Sequence, residues 1–594
     1  MHHGDAESTK RRGPRRGHRA NRSSPAIAAL GTLLGALCCS PGLLVQAGED
    51  DAKSRASAAD ASFGVAGAGK LDSEQSLVER REQRLKQLPP PPEPPRVELP
   101  AAKAIDQFII AAWQAAGLDS AKDPPAICDD ATFVRRVHLD LIGVIPTPVE
   151  VNRFLADRSS QKRDKLVDQL LARRAEYAVH WTPFWEDALA SQTVLGQGGI
   201  PTRGNYRDWL LASFEHNRPY DVMVAELIDP TMPGRRREVD EELIGTKYTI
   251  GYVRNEDHDV TLQTAANVGQ VFLGASMKCA SCHDHFENHE WPQDRFLAFA
   301  GLFAPRDLQR IRCDVKSGQF VPARFPFDLP GAPPEAPSTL EARLHLTAQL
   351  LVDPLNPRFA KTIVNRLWKR YLGLGLCEPV DDFRPDAPAS HPELLDWLAY
   401  DFVGHGCDLQ HTIRLILTSR TYQLQYDPRL EDRLAHDGEP AARYYRSPVL
   451  RRLSAEQFFD SIRLAMAGRL RPEERLFLDG RSTALMRALG RPSSRNEIST
   501  SRSDALAAVQ SLELLNGPEL EEMIERNPLL AKPPARTDPR RLVDQLYLSV
   551  LSRHATSEEK RLGKDFLAGA GSLPEGLHDM LWSLVCSPEF QYVK

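Results

Sequence analysis

Through the long body of this chain, apolar residues return at the spacing of a helix face. Almost nowhere do they show the period of two that a half-buried strand requires. Ile105, Phe108, Ile109 and Ala112 fall at i, i+3, i+4 and i+7, and Leu166, Leu170 and Leu171 repeat the pattern. Helix starts are written chemically as well. Thr147-Pro-Val-Glu150, Ser390-His-Pro-Glu393, Thr556-Ser-Glu-Glu559 and Ser572-Leu-Pro-Glu575 have the form in which a hydroxyl caps the third amide and a carboxylate returns to the cap amide. The expectation is a mostly α fold. Residues 304–338 hold Pro305, Pro322, Pro326, Pro330, Pro333, Pro334 and Pro337, and read as a Pro-rich connector between two helical domains, 101–303 and 339–594.

The chain ahead of residue 101 follows another logic. Lys10, Arg11, Arg12, Arg15, Arg16, Arg19 and Arg22 precede an uncharged stretch with an apolar heart at 26–37, then Pro41-Gly42 and Val45-Gln46-Ala47. A basic region, a short apolar region, a helix breaker and small residues at a V-x-A site together make a secretory signal peptide, 1–47, cut after Ala47. Pro41-Gly42 interrupts the roughly 20-residue helix a bilayer anchor needs, so no transmembrane span is expected once the signal is removed. Residues 48–100 read as a disordered arm ending in a polyproline spacer, Pro89-Pro-Pro-Pro-Glu-Pro-Pro95. Gly64-Val-Ala-Gly-Ala-Gly69-Lys70-Leu71 in this arm imitates a phosphate-binding loop, but Leu71 stands where magnesium demands Ser or Thr. The product is expected in the periplasm or secreted. With 75 Lys+Arg against 80 Asp+Glu and no basic stripe, a nucleic-acid partner is excluded. Nine Cys in 594 residues exclude a disulfide framework.

One constellation carries chemistry: Cys279-Ala280-Ser281-Cys282-His283, the pattern of covalent c-type haem attachment. Two thiols three residues apart meet the two vinyl groups of the porphyrin, and the adjacent imidazole supplies the proximal iron ligand. At this chain's Cys and His frequencies, chance produces the pattern in about four chains per thousand. Export fits, because the attachment takes place outside the cytoplasm. Val268, Val271, Phe272 and Ala275 form an apolar stripe leading to the motif, and Phe296, Phe299, Leu302 and Phe303 could cover a haem face or simply pack in a core. The second axial ligand comes from His258, His285, His289 or Met277, with His258 ranked first as a residue off the helix. Asp284, Glu287 and Glu290 would favour ferric iron. Two other chemistries share the same residues. Cys279, Cys282, His283, His285 and His289 lie within eleven positions and could hold zinc, and Cys279 with Cys282 could form a disulfide or redox pair. Of the seven cysteines left after signal removal, thioether formation uses two, so at least one stays unpaired within the monomer.

The chain also resembles a known family. Ile105-Asp-Gln-Phe108, Arg135-Arg-Val-His-Leu-Asp-Leu-Ile-Gly143 with Pro146-Thr-Pro148, Tyr206-Arg-Asp-Trp209 and Val271-Phe-Leu-Gly274 leading into Cys279–His285 are similar to the planctomycete cytochrome-like domain. Asn356-Pro, Val364-Asn-Arg-Leu-Trp368, Asp381-Asp-Phe383, Ser390-His-Pro-Glu-Leu-Leu-Asp-Trp397, Ser419-Arg-Thr-Tyr422, Leu514-Leu-Asn516 and Ser587-Pro-Glu-Phe590 resemble its C-terminal companion domain of unknown function. The resemblance implies an exported protein and assigns no reaction. The single C-x-x-C-H and the short connector leave no room for a multihaem wire in one chain.

The sequence therefore points to an exported c-type haem protein with an electron-transfer or redox-support role and an extracytoplasmic redox partner or envelope protein as its neighbour. The alternative is an envelope scaffold with structural zinc at the Cys/His cluster, accessory to extracellular polymer breakdown. Asn365, Arg366, Asp381, Asp382, His391 and Glu393 in the second half read as helix caps and ties. Neither an H-E-x-x-H nor a G-x-S-x-G motif is present, which removes two hydrolase classes.

Overall fold

Four hydroxyl caps foretold by spacing give three outcomes in the structure, a computed structural model. Thr147 and Thr556 close both legs of the box: Glu150 N donates to Thr147 Oγ1 at 3.3 Å while Thr147 N donates to Glu150 Oε2 at 2.8 Å, and Thr556 and Glu559 do the same at 3.2 and 2.7 Å. Ser572 accepts from Glu575 N at 3.4 Å, and no return bond from the carboxylate accompanies it. Ser390 does not cap. Pro392 fixes the helix start one residue later, His391 takes the cap position, and the Ser390 hydroxyl donates to Leu376 O at 3.1 Å.

The structure describes residues 74–98, 103–118, 125–190, 206–229, 231–232, 260–312, 315–430, 441–476, 482–493, 495, 498–500, 502, 508–531 and 537–594. The signal peptide, the first half of the arm, the phosphate-loop look-alike, His258 and Cys313 lie outside them.

In the first half the helices are α1 (Glu74–Leu85), α2 (Ala104–Ala115), α3 (Asp130–Ile142), α4 (Pro148–Ala156), α5 (Lys162–Leu171), α6 (Arg174–Ala188), α7 (Tyr206–Glu215), α8 (Tyr220–Ile228), α9 (Val260–Leu273) and α10 (Gln293–Gly301). The Pro-rich stretch contains an antiparallel hairpin, β1 (Leu308–Arg312) and β2 (Val315–Val321), with an irregularity between Gln309 and Ile311. The second half runs through α11 (Leu340–Leu351), α12 (Phe359–Leu372), α13 (Pro392–Gly404), α14 (Leu409–Leu417), the short β3 (Arg451–Arg452) and α15 (Ala455–Ala467). After further helices to Gln591 the chain closes with Tyr592–Val593 antiparallel to β3. The fold is mostly α, and among the described residues no helix is long and apolar enough to cross a membrane.

The two helical halves share one continuous core. Its pivot is α3, buried at every position from Phe133 to Ile142, three of which are charged. Arg135 donates to Val550 O and to Phe590 O, each at 2.9 Å. Arg136 donates to Tyr422 O and Leu424 O. Asp140 accepts from Tyr422 Oη at 2.7 Å and from Arg451 at 2.6 and 2.8 Å. All these partners come from the second half, so the buried guanidinium donors of α3 are satisfied, and Asp140 is paired, only when both halves meet.

The arm is regular in its later part. Residues 74–85 form a helix because Arg80, Arg81 and Arg84 have buried acids to reach: Arg81 binds Asp221 at 2.6 Å, and Arg80 and Arg84 converge on Asp353 at 3.3 and 2.9 Å. Composition alone hid those anchors, which lie more than a hundred residues away.

Candidate cofactor-attachment site

Helix α9 delivers the Cys/His motif. Val268, Val271 and Phe272, with Ala275 just beyond, are buried in the core, and the helix ends at Gly274, whose φ of +56° is left-handed. A Cβ at that position would lie 2.4 Å from Phe383 Cδ2 and 2.9 Å from Thr362 Oγ1, so only glycine allows this close approach of the second half. The chain then forms a 3₁₀ turn, Lys278–Ser281.

Cys279, Cys282 and His283 are all exposed on this turn, while Ala280 between them is fully buried and anchors it. His283 Nδ1 donates to Asp284 O at 2.7 Å, which places the ring proton on Nδ1 and leaves the Nε2 lone pair free for a metal on an exposed side chain. The Phe286 ring lies 4.2 Å from the imidazole with 77% of its surface exposed. Gln293 Nε2 spans to Ser281 O at 3.3 Å and to Ile311 O at 2.7 Å, joining the turn to the hairpin. Ser281 Oγ and Cys282 Sγ sit 3.4 Å apart.

The second half holds this loop like a clasp. Phe383 N donates to Gly274 O at 2.8 Å, and Ser276 N donates to Asp382 Oδ1 at 3.2 Å. Arg358 pairs with Glu290 at 2.6 Å and Arg384 with Glu287 at 2.8 Å. Arg366 Nη1 reaches Val271 O at 2.9 Å while Nη2 binds Asp381 Oδ1 at 2.6 Å. Burial pushes the Asp382 carboxyl above its ordinary range. Asn365, read as a tie from sequence, is one: its side chain bonds Cys377 O at 2.8 Å and Cys377 N at 3.0 Å.

Several site expectations are corrected by this geometry. Met277 is fully buried under Gly269, where a Cβ would meet its Cε at 2.4 Å, so its thioether is spent on packing beneath the turn. His285 turns inward and accepts from Asn288 N at 2.9 Å and Glu287 N at 3.2 Å through Nδ1, which makes it the staple of the loop. His289 is exposed. Phe296, Phe299, Leu302 and Phe303 point into the core and cover no outer face of the motif. Glu287 and Glu290 carry their own arginines, Arg384 and Arg358, in place of facing the motif with free charge. The five Cys/His donors do not gather either. Among the described residues, the trio whose ligand atoms all lie within 4.8 Å of one another is Asp401, His405 and His411, at the end of α13 and the start of α14. Sequence reasoning passed over it, although the Asp401/His405 spacing of four was visible.

Two exposed thiols and an imidazole with its outer nitrogen available form an open, one-sided donor set. A structural zinc needs four donors converging on a point.

Residues 104–307 match the family model PSCyt2, described as a protein of unknown function (DUF1549). Residues 342–475 match PSD1, a protein of unknown function (DUF1553). No curated protein and no solved structure matches the chain.

Proposed function

We propose that this chain, which belongs to the two-domain family joining PSCyt2 to PSD1, carries one haem covalently on the 279–283 turn and exchanges electrons with an extracytoplasmic partner. The observation that supports this reading most is the outward presentation of both thiols beside His283, with its Nδ1 held by the Asp284 carbonyl. Haem attached there would supply one-electron ferric/ferrous chemistry. Cys279 and Cys282 tether it, His283 offers Nε2 to the iron, and Phe286 gives an apolar surface beside the imidazole. The clasp from Asp381 to Arg384 keeps the tether from moving when a partner docks. His289 and His258 remain the candidate second ligands. Export through the 1–47 signal puts the protein where attachment and partner are both found.

The test is a pyridine haemochrome spectrum on denatured, electrophoresed protein exported from a host with haem-attachment machinery. One c-type haem per chain is expected, with attachment lost or reduced to a single thioether in Cys282→Ala. A haem-free chain from competent cells would refute the proposal, and metal analysis and thiol counting on that same sample would then separate zinc from a disulfide.

A further inference from the structure

A cavity of about 210 Å³ opens where α6, α12, β3 and α15 meet. Both halves of the chain build its wall, and the wall is rich in guanidinium groups. Most have a carboxylate of their own. Arg451 sits on Asp140 at 2.6 Å, Arg475 on Asp460 at 2.7 Å, and Arg502 bridges Asp187 and Glu456, each at 2.6 Å. Arg370 is different. Among the described residues it has no carboxylate partner. Its Nη2 donates to His180 Nε2 at 3.1 Å, and its plane lies 4.5 Å from the Trp181 ring centroid and 4.9 Å from that of Phe184.

These contacts position the guanidinium without neutralising it. His180 is held neutral by burial and by the nearby Arg370 and Arg475 charges, so it accepts a hydrogen bond and returns no negative charge. Burial disfavours the Arg370 cation, as do the neighbouring Arg451 and Arg502, and the Tyr371 and Asp140 side chains near it offset this only in part. A pre-oriented cation with no carboxylate in contact, with donors left over and space in front of it, is the arrangement that receives an anion. The Ser454 and Thr500 hydroxyls line the same space.

We infer that this cavity binds a small molecule through a singly charged oxyanion, a carboxylate or a sulfate monoester, which takes Arg370 bidentately. Arg370 offers a single charge and the Asp140 and Glu456 carboxylates line the same cavity, so a doubly charged phosphate monoester fits less well. The volume admits the oxyanion and a few further heavy atoms, about seven water volumes at ~30 Å³ each.

The full chain is titrated with sodium acetate, sodium methyl sulfate and sodium methyl phosphate at pH 8 by thermal-shift assay, with sodium chloride at matched ionic strength as the control. Acetate or methyl sulfate raises Tm saturably above chloride, and methyl phosphate does so less. Arg370→Met removes the response. Arg370→Lys keeps the charge but not the fork, and weakens binding at least tenfold. Wild-type protein that distinguishes none of the three anions from chloride overturns the proposal, and so does an unchanged response in Arg370→Lys or Arg370→Met. The wild-type arm decides even if Arg370→Met does not fold.

Discussion

Replacing Asp381 by Asn removes one charge from the joint between the two halves and almost no volume. Arg366 is 2% exposed at its side chain and Asp381 9%, and their contact is 2.6 Å. In Asp381→Asn the guanidinium keeps its bond to Val271 O but stays buried opposite a neutral amide. Breaking a buried pair on one side costs about 3–5 kcal/mol, whereas replacing both partners by apolar groups of similar size is often neutral. Urea unfolding followed by tryptophan fluorescence should therefore show Asp381→Asn losing about 3–5 kcal/mol and Arg366→Met/Asp381→Leu recovering most of it. Because Arg366 also grips the last turn of α9, amides from 274 to 290 should exchange hydrogen faster in the single variant, ahead of global unfolding. A single variant within about 0.5 kcal/mol of wild type, or a double variant equal to the sum of its singles, would show that packing holds the clasp and the ion pair does not.

His391 is buried beside Tyr445 with no partner for Nε2, and burial lowers its pKa from 6.5 to about 4. Its folded pKa lies below the unfolded one, so it contributes full stability above pH 6.5 and loses up to about 3 kcal/mol as pH falls toward 4; His391→Phe should flatten that window in a pH series of urea midpoints. Below it, Glu456 and Glu559, each held down to about 2 by its arginine, add a second loss that His391→Phe leaves in place. Arg81→Ala strands the buried Asp221 carboxylate and should cost about 3 kcal/mol by the same denaturation assay, more than an exposed arginine-to-alanine change. Residues 48–338 made alone should aggregate and become soluble on co-expression with 339–594; a soluble, cooperatively melting 48–338 fragment would contradict the shared-core account.

The helical class was legible because it rests on local periodicity and capping, which act within four residues. Ile105, Phe108 and Ile109 are buried as their spacing requires, and Thr147 and Thr556 cap as written. Ser390 fails for an equally local reason, the proline two residues on. The remainder was set by contacts far apart in sequence. Nothing near Arg80 or Arg84 announces Asp353, so a charged, Ala-rich stretch read as an arm. Likewise Met277 and His285 were the right residue types at the right distance from the motif. Which way they point depends on Gly269 and on the Asn288 amide, and spacing carries no sign for inside or outside.

The same contrast explains why the resemblance stretches are where they are. Arg135-Arg-Val-His-Leu-Asp-Leu-Ile-Gly143 is α3 with its charges buried, and Ser419-Arg-Thr-Tyr422 supplies the Tyr422 carbonyl and hydroxyl that meet Arg136 and Asp140. Val271-Phe-Leu-Gly274 and Asp381-Asp-Phe383 are the two sides of the clasp, joined through Arg366 and the Phe383 amide. These two stretches of the first half find their complements in the second, whereas Arg207 and Trp209 pair within the first half, with Glu186 and Glu226. The second half is thus a structural requirement of the Cys/His turn: without Asp381–Arg384 the loop from Gly274 to Glu290 loses its backbone and ionic anchors together. A chemistry that depends on holding a group at a fixed surface position therefore calls on both halves, because Ala280, Gln293 and His285 fix the turn from within the first half while the clasp fixes its two ends from the second.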